Sequence, residues 1–323
     1  MELIQIVATP GSGDGRARAT ARRLQKALVR RGYVTQVETF ADLERLKAWA
    51  ATCAATFSRL VCVGGDATLS AAAQASVRLS IPFLPVPSGF GNIFARTFGH
   101  SQRTGRVIDL LQRGLIRRID VGQINGGELF LSHQSYGLLA EIQGAVERSR
   151  AQPRSKILRH LAYYAMAPRF LLGTQVPAIR VEVDGAEVAE NAALVTVANV
   201  ETYRGYLSLT PGASPLDGLF DVFVIPRTTM LGVWTRLLKL GLGLRGRWEG
   251  VVRRRGRSVQ VMVDGRARDD LTVRPRALPL LVPPVSAPSP AARRSRRRRA
   301  SGRRRAPAVR RRSTRSVVHG ARG

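Results

Sequence analysis

Residues 2–8 (ELIQIVA) form an apolar run of strand length, and after a Gly/Ser-rich turn Leu24, Ala27, Leu28 and Arg31 recur at helical spacing. The alternation repeats. Strand 33–39, helix 41–54, strand 60–63, helix 67–77 and strand 82–86 follow, and another Gly-rich turn at 87–92 leads into a further helix. Strands alternating with helices of this length predict a doubly wound parallel α/β domain over residues 1–115. From residue 116 the texture changes. Short β-branched segments at 119–125, 178–184, 192–198, 219–225, 257–263 and 277–282 are bounded by Gly, Asp, Asn or Pro. They predict a mostly antiparallel β-sandwich over 116–283, whose last strand has the option of returning to the first domain. Two helical stretches interrupt it, 155–172 and 228–242. The second carries Leu231, Trp234, Leu237, Leu238 and Leu242 broadly along one side, which suits a helix packed on a core. Residues 284–323 are rich in Arg, Pro and Ser and nearly free of apolar side chains, so nothing offsets chain entropy and a disordered tail is predicted.

Composition narrows the partners. The chain has 323 residues, 44% of them hydrophobic, enough for a sizeable core. Its 52 Lys+Arg against 22 Asp+Glu give a net charge of +30, and removing the fourteen arginines of the acid-free tail leaves +16 on the body. A basic body suits anionic partners such as nucleotides, phosphorylated lipids and anionic membrane surfaces. In the tail, each Arg near an anionic bilayer gains roughly 1 kcal/mol, so a peripheral membrane tether is one reading and a silent extension the other. No aromatic residue is interleaved there to stack on bases, which disfavours nucleic acid. Cys53 and Cys62 lack CxxC spacing, so neither a disulfide framework nor a zinc site is signalled, and a cytoplasmic setting fits. The sequence holds no stretch of about 18 uncharged apolar residues. His133 and His160 stand alone, which leaves a Ser-His-Asp hydrolase unsupported.

Three glycine-rich turns each follow a strand and precede a helix: Thr9-Pro-Gly-Ser12-Gly13-Asp-Gly15, Gly64-Gly65-Asp66-Ala67-Thr68 and Pro87-Ser-Gly89-Phe-Gly91-Asn92. In a parallel sheet they share the carboxyl edge, where helix N-termini offer N–H groups to phosphate and a backbone without Cβ approaches closely. Neither GxxxxGK[ST] nor GxGxxG is present.

Here the residues carry a family resemblance. Gly64-Gly65-Asp66-Ala67-Thr68 resembles the GGDGT loop of the diacylglycerol kinase catalytic superfamily, which includes bacterial lipid kinases and sphingosine kinases. Residues 87–96 are similar to its PxGTxNxxAR and Thr9-Pro10-Gly11-Ser12-Gly13 to its NPxSG, while Ala198-Asn199 and Pro211-Gly-Ala213 resemble later elements. Asp217-Gly218-Leu219-Phe220-Asp221 is similar to DGxxD and Asp264-Gly265 to the start of DGE. The resemblance covers residues 2–283 in order. It implies ATP bound between the two domains by Ser12, Gly13, Thr39, Gly64, Gly65, Asp66, Ala67, Thr68, Leu69, Ser70, Gly89, Gly91 and Asn92. It also implies a lipid alcohol entering from the cleft, and Mg²⁺ held by the Asp217 carboxylate with backbone oxygens near Ser214 and Leu219.

The departures are specific. Ala67 replaces a glycine, which requires negative φ there, and Phe90 replaces a threonine. The DGE glutamate, the family's proton acceptor, is Arg266, which cannot act as a base at neutral pH. Asp264 and Asp66 are the remaining candidates for that role. Two functions follow: an ATP- and Mg²⁺-dependent kinase acting on a diacylglycerol or sphingoid-type lipid, or a nucleotide- or lipid-binding module that kept the fold and lost the base.

Overall fold

β1 (Leu3–Ala8), buried along nearly its whole length, lies between β2 (Val34–Thr39) and β3 (Arg59–Gly64), and β4 (Phe83–Pro87) lies beyond β3, all four parallel. The helices between them are α1 (Ala17–Val29), α2 (Leu43–Thr52) and α3 (Asp66–Leu79), and α4 (Ile93–Thr97) and α5 (Thr104–Arg113) follow β4. This is a computed structural model; it describes residues 2–9, 16–89, 91–138, 140–141, 177–201, 203–204, 207–227, 229, 232–233, 235–236 and 251–284.

Two apolar layers cover the parallel strands. Leu24 and Leu28 of α1 pack with Val107, Ile108 and Leu111 of α5 against Ile4, Ile6, Val61 and Val86. On the other layer, α2 and α3 join Phe83, Phe94 and Leu280. α3 presents Ala71, Ala72, Ala73 and Ala75, all buried, and small side chains let a helix lie close to a sheet. Asp42 caps α2 by accepting from Arg45 N at 2.8 Å, which fixes its start two residues later than the periodicity suggests.

The second region comprises β5 (Leu115–Ile124), β6 (Glu128–Phe130), β7 (His133–Gly137), β8 (Ile179–Val183), β9 (Ala186–Ala198), β10 (Tyr203–Arg204), β11 (Leu207–Ser208), β12 (Phe220–Pro226), β13 (Val252–Gly256), β14 (Ser258–Val263) and β15 (Arg266–Val282). Their pairing is antiparallel apart from one contact. They gather around Phe130, Tyr136, Val181, Val197, Phe220, Val222 and Val261, with Phe130 and Phe220 stacked at 5.4 Å. The fold is thus a parallel α/β region followed by a mostly antiparallel β region, joined in one mixed sheet.

β15 makes the join. Its antiparallel length runs against β14 and β5, and near its end Leu280 pairs in parallel with Phe83 of β4. The segment 277–282 is therefore only the end of a strand of 17 residues. Midway, residues 275–277 bulge opposite Asp120 of β5, with Arg276 at φ +50°. Asp120 is 1% exposed, and its Oδ1 accepts from Arg276 N and its Oδ2 from Gly218 N, both at 2.8 Å. Asn199 Nδ2 donates to the carbonyls of Asp120 and Leu131 at 2.9 and 3.1 Å. A buried carboxylate thereby holds the bulge, the 217–218 turn and β5 together.

The described residues up to Pro283 form one compact unit. The helix expected at 155–172 and the tail beyond Pro284 lie outside the described residues. Of 228–242, residues 232–233 and 235–236 are helical, with Val233 fully buried. No helix among the described residues is long and apolar enough to cross a membrane.

Candidate functional site

Strand order puts the direction reversal of the parallel region between β1 and β3, because the chain runs outward from β1 to β2 and then returns to the other side. Ligands of open α/β sheets bind outside the strand carboxyl ends at such a point. Register brings Thr39 beside Ala8 and Ala8 beside Val63, so Thr9, Thr39 and Gly64 share that edge. Thr39 is exposed there.

The second and third glycine turns meet backbone to backbone. A Cβ on Gly89 would lie 2.5 Å from Gly65 Cα, and one on Gly65 would lie 3.3 Å from Gly89 Cα. Ser88 N donates to Gly64 O at 2.8 Å. Asn92, at φ +48°, closes the third turn: Gly89 N donates to its Oδ1 at 2.8 Å and its Nδ2 donates to Gly89 O at 2.6 Å. Asp66 ties the turns together, its Oδ2 accepting from Ile93 N and its Oδ1 from Phe94 N, both at 3.0 Å. The Asp66 carboxylate thus braces the start of α4, and a Cβ on Gly91 would come within 3.2 Å of it.

Gly65 caps α3 with no side-chain acceptor, and the first bond of the helix is Leu69 N to Gly65 O at 2.9 Å. Its first turn therefore faces the edge with N–H groups suited to an anion. Ala67 is exposed and helical, so the negative φ that its methyl requires is met. Thr68 and Leu69 face inward. Thr68 Oγ1 lies 2.9 Å from Thr9 Oγ1, and Leu69 is buried in the core. Ser70 Oγ accepts from Leu131 N at 3.2 Å, joining α3 to the segment after β6. Ser12 and Gly13 lie outside the described residues. Beside the start of α1 is a cavity of about 480 Å³ lined by Arg16, Thr20, Arg23, Arg103 and Thr104, whose three guanidinium groups favour anions.

Asp264 and Arg266 lie on the β14–β15 hairpin. Asp264 (φ +50°) and Gly265 (φ +74°) form its two-residue turn, a pair of left-handed residues that Asp-Gly favours. Asp264 Oδ1 accepts from Ala178 N at 2.9 Å, and Arg266 is exposed. Asp264 is thus occupied in shaping a turn.

The Ser214, Asp217 and Leu219 set does not fit Mg²⁺. Asp217 Oδ1 accepts from Leu219 N at 3.2 Å, and its Oδ2 accepts from the Arg255 guanidinium, which also reaches Asp221 Oδ2 with Nε at 3.5 Å. A fixed positive charge stands beside the carboxylate that would ligate the ion. Among the described residues no group of three or more His, Cys, Asp or Glu is arranged to hold a metal.

Sequence reasoning missed Asp120, an acid within the largely apolar strand segment 119–122, and Arg255, one of three consecutive arginines. Nothing in either neighbourhood marks one residue as special until the strands pair.

Comparison with known proteins places these features in a family. The diacylglycerol kinase catalytic domain matches residues 4–124, and the YegS C-terminal NAD kinase beta sandwich-like domain matches residues 134–281. A Pseudomonas fluorescens protein named "Probable lipid kinase YegS-like" is 29% identical over 237 residues, covering 70% of this chain and 76% of that one. The diacylglycerol kinase of Mycobacterium tuberculosis is 27% identical over 246 residues, covering 73% of this chain and 78% of its own. The crystal structure of a diacylglycerol kinase from Bacillus anthracis superposes with a TM-score of 0.62 at 18% identity, over 88% of this chain and 98% of that one, a likeness of fold. With both halves matched in order and the GGD turn set at the reversal point of the sheet, the chain belongs to the diacylglycerol kinase catalytic-domain family, whose members are lipid kinases that use ATP.

Proposed function

We propose that the chain is an ATP-dependent lipid kinase that transfers the γ-phosphoryl group to a hydroxyl of a diacylglycerol or sphingoid-type lipid. The observation that carries this reading is the contact of Gly65 with Gly89 at the carboxyl edge, which leaves the α3 N-terminus facing outward between two turns. Main-chain N–H groups there receive the phosphates, Thr39 lies along the nucleotide, and Mg²⁺ accompanies ATP as its counter-ion. Asp66 acts as a positioning residue through Ile93 and Phe94. Phosphoryl transfer depends chiefly on alignment and charge neutralisation. With Arg266 at the family's base position, the acceptor proton passes to the transferring phosphoryl group, and the missing base costs about 10²- to 10⁴-fold in rate.

The exposed Arg266 also favours a second reading, a nucleotide- or lipid-binding module without turnover. One experiment separates the two. Purified chain given ATP, Mg²⁺ and a panel of lipid alcohols in mixed micelles forms a phosphorylated lipid, and Arg266→Glu raises the rate. Absence of product from both proteins with every alcohol rejects the kinase and leaves the binding module.

A further inference from the structure

We propose that the resident cation of the 216–221 turn is the guanidinium of Arg255 in place of a divalent metal ion. The inference starts from register. β13 carries Arg253, Arg254 and Arg255 in succession, and antiparallel pairing with β12 sets them opposite Phe223, Val222 and Asp221 in that order. Residues directly opposite in such a pair share a face. Arg253 accordingly lies over the Phe223 ring, 5.6 Å from its centroid, and Arg255 alone of the three faces a carboxylate.

From there Arg255 reaches a second acid. It bonds Asp217 Oδ2 through Nη2 and forms an ion pair with Asp221 Oδ2, 3.5 Å from its Nε, so one guanidinium lies against two carboxylates. Two carboxylates this close to one another call for a positive charge beside them, and Arg255 supplies it.

The other Asp217 oxygen accepts from Leu219 N, and Asp120 holds the adjoining Gly218 N, so the turn is closed on the protein's own groups. A divalent ion at Asp217 would have to displace Arg255 or share the site with a like charge at contact distance, which repulsion between the two cations disfavours. Arg suits the task better than Lys because its fork matches two acceptors at once.

The test uses the full chain without nucleotide or lipid, so it stands or falls separately from the kinase reading. Thermal unfolding of the wild type shifts by no more than about 1 °C between EDTA and millimolar Mg²⁺, and calorimetric titration shows no Mg²⁺ binding that Asp217→Asn abolishes. Arg255→Ala lowers the melting temperature in EDTA by about 2–4 °C and recovers it in Mg²⁺, while the double variant Asp217→Asn, Arg255→Ala does not recover. A wild-type Mg²⁺ response lost in Asp217→Asn overturns the proposal, as does a folded Arg255→Ala that ignores Mg²⁺. If Arg255→Ala fails to fold in both conditions, the wild-type titration decides.

Discussion

Gly89 is the position where one added carbon does most. Its Cβ would stand 2.5 Å from Gly65 Cα, a backbone atom that cannot rotate aside, so the two turns would be pushed apart. On Gly65 the same carbon meets Gly89 Cα at 3.3 Å, which a small backbone adjustment relieves. Gly89→Ala is therefore expected to lose about 1–3 kcal/mol of stability in urea unfolding and to weaken ATP binding at least about tenfold, with Gly65→Ala the milder of the two. Equal effects would contradict the close approach. The glycines were legible as turn residues because each follows an apolar strand and precedes a helix. Which glycine touches which was not, because that contact depends on where β3 and β4 end relative to each other. Thr68 and Leu69 show the same limit. They belong to the loop motif by position, yet helical rotation turns them inward while Ala67 stays at the surface.

At the scale of elements, β1, β3 and β4 could be read from the sequence because buried strands are nearly continuous apolar runs, whereas β2, at the edge of the sheet, is largely polar and mostly uncovered. β13 could not, since VRRRG is a strand only through its pairing with β12. β15 was visible only as its apolar end, because its first half carries charges at exposed positions. Its bulge over Asp120 is the joint between the two regions. Asp120→Ala removes the acceptor of two part-buried main-chain N–H groups, Gly218 and Arg276, at once. Losing both bonds should cost about 1–3 kcal/mol, read as a fall in the urea midpoint with unchanged slope. A loss under about 0.5 kcal/mol would show that the bulge is held by β-pairing alone.

Across the whole molecule, both halves contribute to one continuous sheet, so the order of motifs along the chain maps onto a spatial arrangement that local patterns cannot specify. The α/β order predicted the carboxyl edge, and the edge carries the two described glycine turns. The acidic positions were harder to place. Asp66 braces α4, Asp264 shapes a hairpin and Asp217 pairs with Arg255, so each aspartate that the sequence offered as a candidate is engaged by the protein itself. Among the described residues the edge offers the backbone at the start of α3, and three guanidinium groups line the cavity beside α1, the equipment of a phosphate site. Unfolding temperature measured against ATP, ADP and AMP in the presence of Mg²⁺ tests this most directly. The account predicts a rise that grows with ATP concentration, is smaller for ADP, is absent for AMP, and disappears in Gly89→Ala. No ATP-dependent rise at millimolar nucleotide, or an equal rise with AMP, would contradict it.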